Sequence, residues 1–99
     1  MTDDFTAKQL AKEERGRRAA ELLADPLFAE AFAVCHAAYI NALETSGFKQ
    51  RDERDELWRR LQTLKKIREH LETVASTGRL AAEQLREIRR AGSGRWVLF

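Results

Sequence analysis

Asp25-Pro26-Leu27-Phe28-Ala29-Glu30-Ala31-Phe32-Ala33-Val34-Cys35-His36-Ala37-Ala38-Tyr39-Ile40-Asn41-Ala42-Leu43-Glu44-Thr45-Ser46-Gly47 is the stretch that decides the fold. Asp25 is a good helix N-cap, and Pro26 suits the first helical position, where its missing N–H costs nothing. From Leu27 to about Thr45 the apolar side chains recur at spacings of three and four. Phe28, Phe32, Cys35, Tyr39 and Leu43 form one stripe, and Leu27, Ala31, Val34, Ala38 and Ala42 form a second beside it. No formal charge lies between Ala31 and Leu43. A helix apolar around so much of its circumference has to be covered on several sides. One other helix of a small chain cannot do that, so neighbouring helices or other subunits are required. Gly47 suits a left-handed position after the helix, with Phe48 falling back on Leu43 in a Schellman ending.

Downstream, Asp52, Glu53, Asp55 and Glu56 crowd the start of a third helix, where the macrodipole favours negative charge. Asp55–Arg59 and Glu56–Arg60 have the acid four residues ahead of the base. Leu57, Leu61, Leu64, Ile67 (or Arg68), Leu71 and Val74 form a narrow seam close to a coiled-coil pattern. Thr77-Gly78 reads as a break, followed by a short fourth helix from about Leu80 to Ala91 with Leu80, Leu85 and Ile88 inward. Gly92-Ser93-Gly94 reads as a flexible joint carrying the apolar tail Arg95-Trp96-Val97-Leu98-Phe99. Upstream, Thr6 with Gln9 suggests a capping box and Phe5 a staple for a first helix. Its charge-rich first half, containing Gly16, offers little to pack.

The expected fold is all-α: a helical hairpin core, about 26–46 and 52–75, with flanking N- and C-terminal helices, in an oligomer. The expected organisation is a charged helix or arm over 1–18, a helical core domain over 19–91 and a hinged hydrophobic tail over 92–99.

The chain has 99 residues, enough for one domain, with 43% hydrophobic and 34% charged residues and a single Pro. This argues against disorder. Its 18 basic and 16 acidic residues leave a net charge of +2, which excludes a histone-like polycation. The single Cys35 cannot form an internal disulfide and points to a reducing compartment. The acidic start Met1-Thr2-Asp3-Asp4 is unlike a signal peptide, and no uninterrupted apolar run approaches the ~20 residues of a membrane span. The expectation is a cytoplasmic chain with no membrane contact.

Chemistry has few footholds. Cys35 and His36 are adjacent, so on a helix they point about 100° apart and share a metal poorly. His70 is far off in sequence, and no phosphate loop, dinucleotide fingerprint or nucleophile elbow is present. The expectation is a non-enzyme with no catalytic residue, no metal and no cofactor. Arg15-Gly16-Arg17-Arg18, Arg59-Arg60, Lys65-Lys66 and Arg89-Arg90 can meet phosphates, but acids stand near each cluster. Weak, nonspecific contact with a DNA backbone is what they support. Residues 76–99 hold five arginines (Arg79, Arg86, Arg89, Arg90, Arg95) against Glu83 and Glu87. The candidate oligomer interface is Phe28, Phe32, Tyr39, Trp58, Leu61, Leu64 and Leu71. Trp58 stands one position off the seam and suits either core or interface. The candidate contact with another protein is Arg89, Arg90, Arg95, Trp96, Val97, Leu98 and Phe99.

Leu22-Leu23-Ala24-Asp25-Pro26-Leu27-Phe28, Ala31-Phe32, Tyr39-Ile40, Arg54-Asp55-Glu56-Leu57-Trp58, His70-Leu71 and Gly78-Arg79-Leu80-Ala81 together carry a resemblance over roughly residues 20–90. The chain resembles small all-helical proteins of tailed-phage and gene-transfer-agent structural clusters, most nearly small terminase subunits. That resemblance implies a ring of helical hairpins that presents DNA to a packaging motor and regulates its large ATPase subunit. It also implies location in the host cytoplasm or on a virion. Typical members begin with a helix-turn-helix domain; residues 1–20 are too short and too acidic to be one. What the resemblance leaves is an oligomer whose C-terminal tail contacts the motor or a virion component. The alternative is a small helical inhibitor or adaptor that binds a host protein as monomer or dimer.

Overall fold

The structure, a computed structural model, describes residues 3–97, with side chains described for 3–92. It is all-helical: α1 spans Asp4–Ala24, α2 Pro26–Thr45 and α3 Arg51–Val97. Packing divides the chain into two compact units, one of Met1–Glu21 with Glu72–Phe99, the other of Leu22–Leu71.

In the first unit, Asp3 caps α1: its Oδ1 accepts the Thr6 N–H at 3.0 Å. The cap is thus Asp3 rather than a Thr6–Gln9 box, and Gln9 is instead buried. Gln9, Gly16 and Ala19 of α1 are buried, as are Ala75, Gly78, Ala81 and Leu85 of α3. So the first half of α1 does pack, contrary to the expectation from its charge. What it lacks in large side chains it makes up by closeness. A Cβ built on Gly16 would lie 2.5 Å from the Gly78 Cα and 3.0 Å from the Val74 carbonyl oxygen. One built on Gly78 would lie 2.6 Å from the Gly16 Cα and 3.0 Å from the Lys12 carbonyl oxygen. The two backbones touch, and only residues without a Cβ allow it.

This contact corrects the expected break at Thr77-Gly78. Gly78 sits inside a helix, at a crossing. Leu57, Leu61, Leu64, Leu71, Ala75, Gly78, Ala82 and Leu85 are all buried or half-buried along α3, spaced by three, four or seven residues without a phase shift. No separate fourth helix exists among the described residues. Of its expected inward residues Leu85 is buried, but Leu80 is 60% and Ile88 44% exposed, while the neighbouring Ala81 is buried. The joint expected at Gly92–Gly94 is likewise helical backbone, which runs on to Val97. Leu98 and Phe99, and the side chains of Arg95, Trp96 and Val97, lie outside the described residues.

In the second unit, α2 runs antiparallel to the first part of α3. Near one end the Arg54 Nη1 donates to the Leu43 carbonyl at 3.0 Å, to the Ser46 carbonyl at 3.2 Å and to the Ser46 hydroxyl. Further along, the Arg68 guanidinium lies 5.3 Å from the centroid of the Phe32 ring, a cation–π distance. Leu61, 2% exposed, is the one large residue in this unit that is fully buried among the described residues. The Schellman ending expected at Gly47 is not formed. Ser46 caps α2 in an extended conformation (φ −76°, ψ 144°), no described glycine has positive φ, and Phe48 is 97% exposed. Arg54 satisfies the terminal carbonyls that a left-handed glycine would otherwise have helped to close.

Candidate protein–protein interface

α2 begins as the sequence requires. Asp25 Oδ1 accepts the N–H groups of Leu27 at 2.9 Å and Phe28 at 3.0 Å, and Pro26 opens the helix. The register so fixed sends the two apolar stripes in different directions. Of the first stripe Phe28, Phe32, Tyr39 and Leu43 are half-buried, Phe32 against Arg68 of α3, whereas Cys35 is exposed. Of the second stripe Leu27, Ala31, Val34 and Ala38 are exposed, with Leu27 at 72% and Val34 at 62%, while Ala42 is half-buried. Asn41 and Thr45 continue this outer face toward the C-terminal end. No residue of α2 is buried. The most apolar helix of the chain therefore has one face partly covered and the other in water.

The expected interface residues fall into three groups. Phe28, Phe32, Tyr39, Leu64 and Leu71 are half-buried inside the second unit, so much of each is already spent on contacts within the chain. Leu61 is core. Trp58 is 56% exposed and belongs to the surface rather than the core. The outer residues of α2, Leu27, Ala31, Val34 and Ala38, are outside the expected interface and are the ones left exposed. Their signal was the run of small apolar residues with no charge between Ala31 and Leu43.

An open groove of about 320 Å³ runs beside α2, lined by Cys35, Tyr39, Glu56, Arg59, Arg60, Thr63, Leu64 and Ile67. Cys35 is exposed and free, and His36 is half-buried. Among the described residues no group of three or more His, Cys, Asp or Glu side chains can hold a metal ion.

Part of the charged surface is paired at helical spacing. Glu56 holds Arg60 at 3.2 Å and Arg59 at 3.5 Å; Asp55, the expected partner of Arg59, is not in that pair. Arg86 and Arg90 are paired with Glu83 and Glu87. Arg17 bridges Glu14 and Glu21, and its hydrogen bond holds the Glu14 carboxyl below its ordinary value. Of the expected partner-contact residues, Arg89 and Arg90 are exposed; the other five fall where no side chain is described.

By length and composition α2 would also serve as a membrane span: 20 residues with a mean hydropathy of 1.2. The measure here is mean hydropathy over the helix; the apolar run itself is interrupted by Glu30, His36, Asn41 and Glu44. Core helices of soluble proteins meet the same criterion. No family model, no curated protein and no solved structure matches the chain.

Proposed function

We propose that the protein is a non-enzymatic assembly factor that works as a homo-oligomer of helical chains, of the small-terminase-like kind its sequence resembles. The hairpin of about 26–46 and 52–75 supplies the contacts between copies. The C-terminal residues from Arg89 onward supply the contact with a second protein, a packaging motor or virion component. One observation carries the oligomer: α2, uncharged from Ala31 to Leu43, has no buried residue.

Isolated exposed apolar residues are ordinary, but a contiguous helix face of them marks a contact surface.

Native mass at near-physiological salt is the test. A discrete closed assembly of many copies is the expected result, and the next step is a pull-down comparing the full chain with one ending at Gly94. A clean monomer refutes the oligomer and leaves the inhibitor or adaptor as the better reading.

A further inference from the structure

α1 sorts its charges onto two sides. Its acid–base pairs lie on one: Arg17 bridges Glu14 and Glu21, and Arg17 and Glu13 face Arg79 of α3 across an open groove of about 230 Å³. Lys8, Lys12, Arg15 and Arg18 lie on the other. They follow one another at spacings of 4, 3 and 3 and share an arc of about 120° on the helix. All four are exposed, and none forms an ion pair among the described residues. Asp4, one turn before Lys8, is the one acid on this arc.

We propose that this stripe docks the phosphodiester backbone of duplex DNA, without reading its sequence. The proposal goes beyond the assembly reading and does not depend on it, because the stripe lies on one helix of a single chain.

Like charges three and four residues apart weaken a helix. Elsewhere the chain uses the same spacings to pair arginine with glutamate: Glu56 with Arg60, Glu83 with Arg86, Glu87 with Arg90. Four cations in succession at those spacings, with no carboxylate in reach, suit an anion from outside the chain. The basic clusters legible along the sequence are poorer candidates, since Arg17, Arg59, Arg60 and Arg90 are held by carboxylates.

The dimensions and the neighbours select the anion. From Lys8 to Arg18 the helix rises ~15 Å. One strand of duplex DNA carries about four phosphates over that length. No aromatic residue lies between Lys8 and Arg18, so the stripe lacks the stacking platform that single strands use. Between those two residues the arc holds one other side chain, Ala11, so it also lacks the large anchors that grip a protein partner.

Fluorescence anisotropy of a short labelled duplex, titrated with the full chain at several salt concentrations, tests the proposal. The logarithm of the affinity should fall against the logarithm of salt with a slope of about −3.6 per bound chain, for four phosphate contacts. Lys12→Gln with Arg15→Gln should halve that slope and raise Kd tenfold or more, and Lys8→Gln alone should reduce it by about 0.9. Both sites of the double variant are exposed and glutamine is a good helix former, so helicity and Tm should be kept. Lys65→Gln with Lys66→Gln removes the same charge from exposed positions of α3 and should leave slope and Kd near the wild-type values. Equal losses in the two double variants overturn the stripe in favour of net charge. Absence of duplex binding at low salt overturns the proposal outright, and binding of polyglutamate in its place assigns the stripe to an acidic protein.

Discussion

Substituting Gly78 by alanine sets two well-measured effects against each other. In the interior of an exposed helix, glycine to alanine gains about 1 kcal/mol from helix propensity. Here the new methyl would arrive 2.6 Å from the Gly16 Cα and 3.0 Å from the Lys12 carbonyl oxygen, both backbone atoms that cannot swing aside. Carbon atoms rest about 3.5–4.0 Å apart, so α1 and α3 must part by roughly 1 Å. A gap of that size forfeits a quarter to a half of each dispersion contact in the layers beside it. Those layers are Ala19, Ala75 and Ala81, all at or below 5% exposure. Overpacking of this kind costs about 1–3 kcal/mol. The net is a loss of up to about 2 kcal/mol, a fall in Tm of up to about 15 °C for a domain this size. Gly92 is the internal control: it is helical and exposed, and a Cβ there meets nothing within 4 Å. Gly92→Ala should therefore raise Tm by a few degrees while Gly78→Ala and Gly16→Ala lower it. Far-UV circular dichroism melts at one fixed protomer concentration read the sign directly. A Gly78→Ala chain that gains as much as Gly92→Ala would show that the helices do not cross at that distance.

Other perturbations probe other joints. Asp25→Ala removes the acceptor for the Leu27 and Phe28 N–H groups and should cost about 1 kcal/mol in urea unfolding, with Asp25→Ser restoring most of it. Arg54→Met keeps much of the side chain's bulk but releases the Leu43 and Ser46 carbonyls, for a loss of about 1–2 kcal/mol by the same assay. Leu61→Ala empties the one fully buried large side-chain site among the described residues and should cost about 2–5 kcal/mol. The Glu14 carboxyl is lowered by its hydrogen bond to Arg17, so its contribution is complete above the ordinary value of 4.5 and disappears as pH falls through the lower, folded value. In a carbon-13 NMR titration its midpoint should lie below 4.5, and Arg17→Leu should return it toward that value.

How far the sequence could be read depended on whether a signal was local. Asp25-Pro26 was fully legible, since an N-cap and an N1 proline act within one turn and nothing distant competes with them. The two stripes of α2 were equally legible as stripes. Which one would be the more covered was not, because both are apolar and the choice depends on partners remote in sequence, such as Arg68 over the Phe32 ring. Gly78 was misread because glycine serves opposite ends: it ends helices and it lets them touch. The seam held the answer. Its phase continues from Leu71 through Ala75 and Gly78 to Ala82 and Leu85, whereas a true break would have reset it. Gly47 erred the other way, since its local signal was good but Arg54, seven residues on, took over the carbonyls a left-handed turn would have served.

The Arg54 clasp has a consequence for the order of folding. Its partners Leu43 and Ser46 lie only 11 and 8 residues away along the chain. Loops of about 10 residues close in roughly 10–100 ns, far faster than contacts between distant segments are found. The corner between α2 and α3 can thus assemble before Gly16 meets Gly78, whose closure spans more than half the chain. Substitutions at the corner should slow refolding, and substitutions at the glycine crossing should chiefly hasten unfolding.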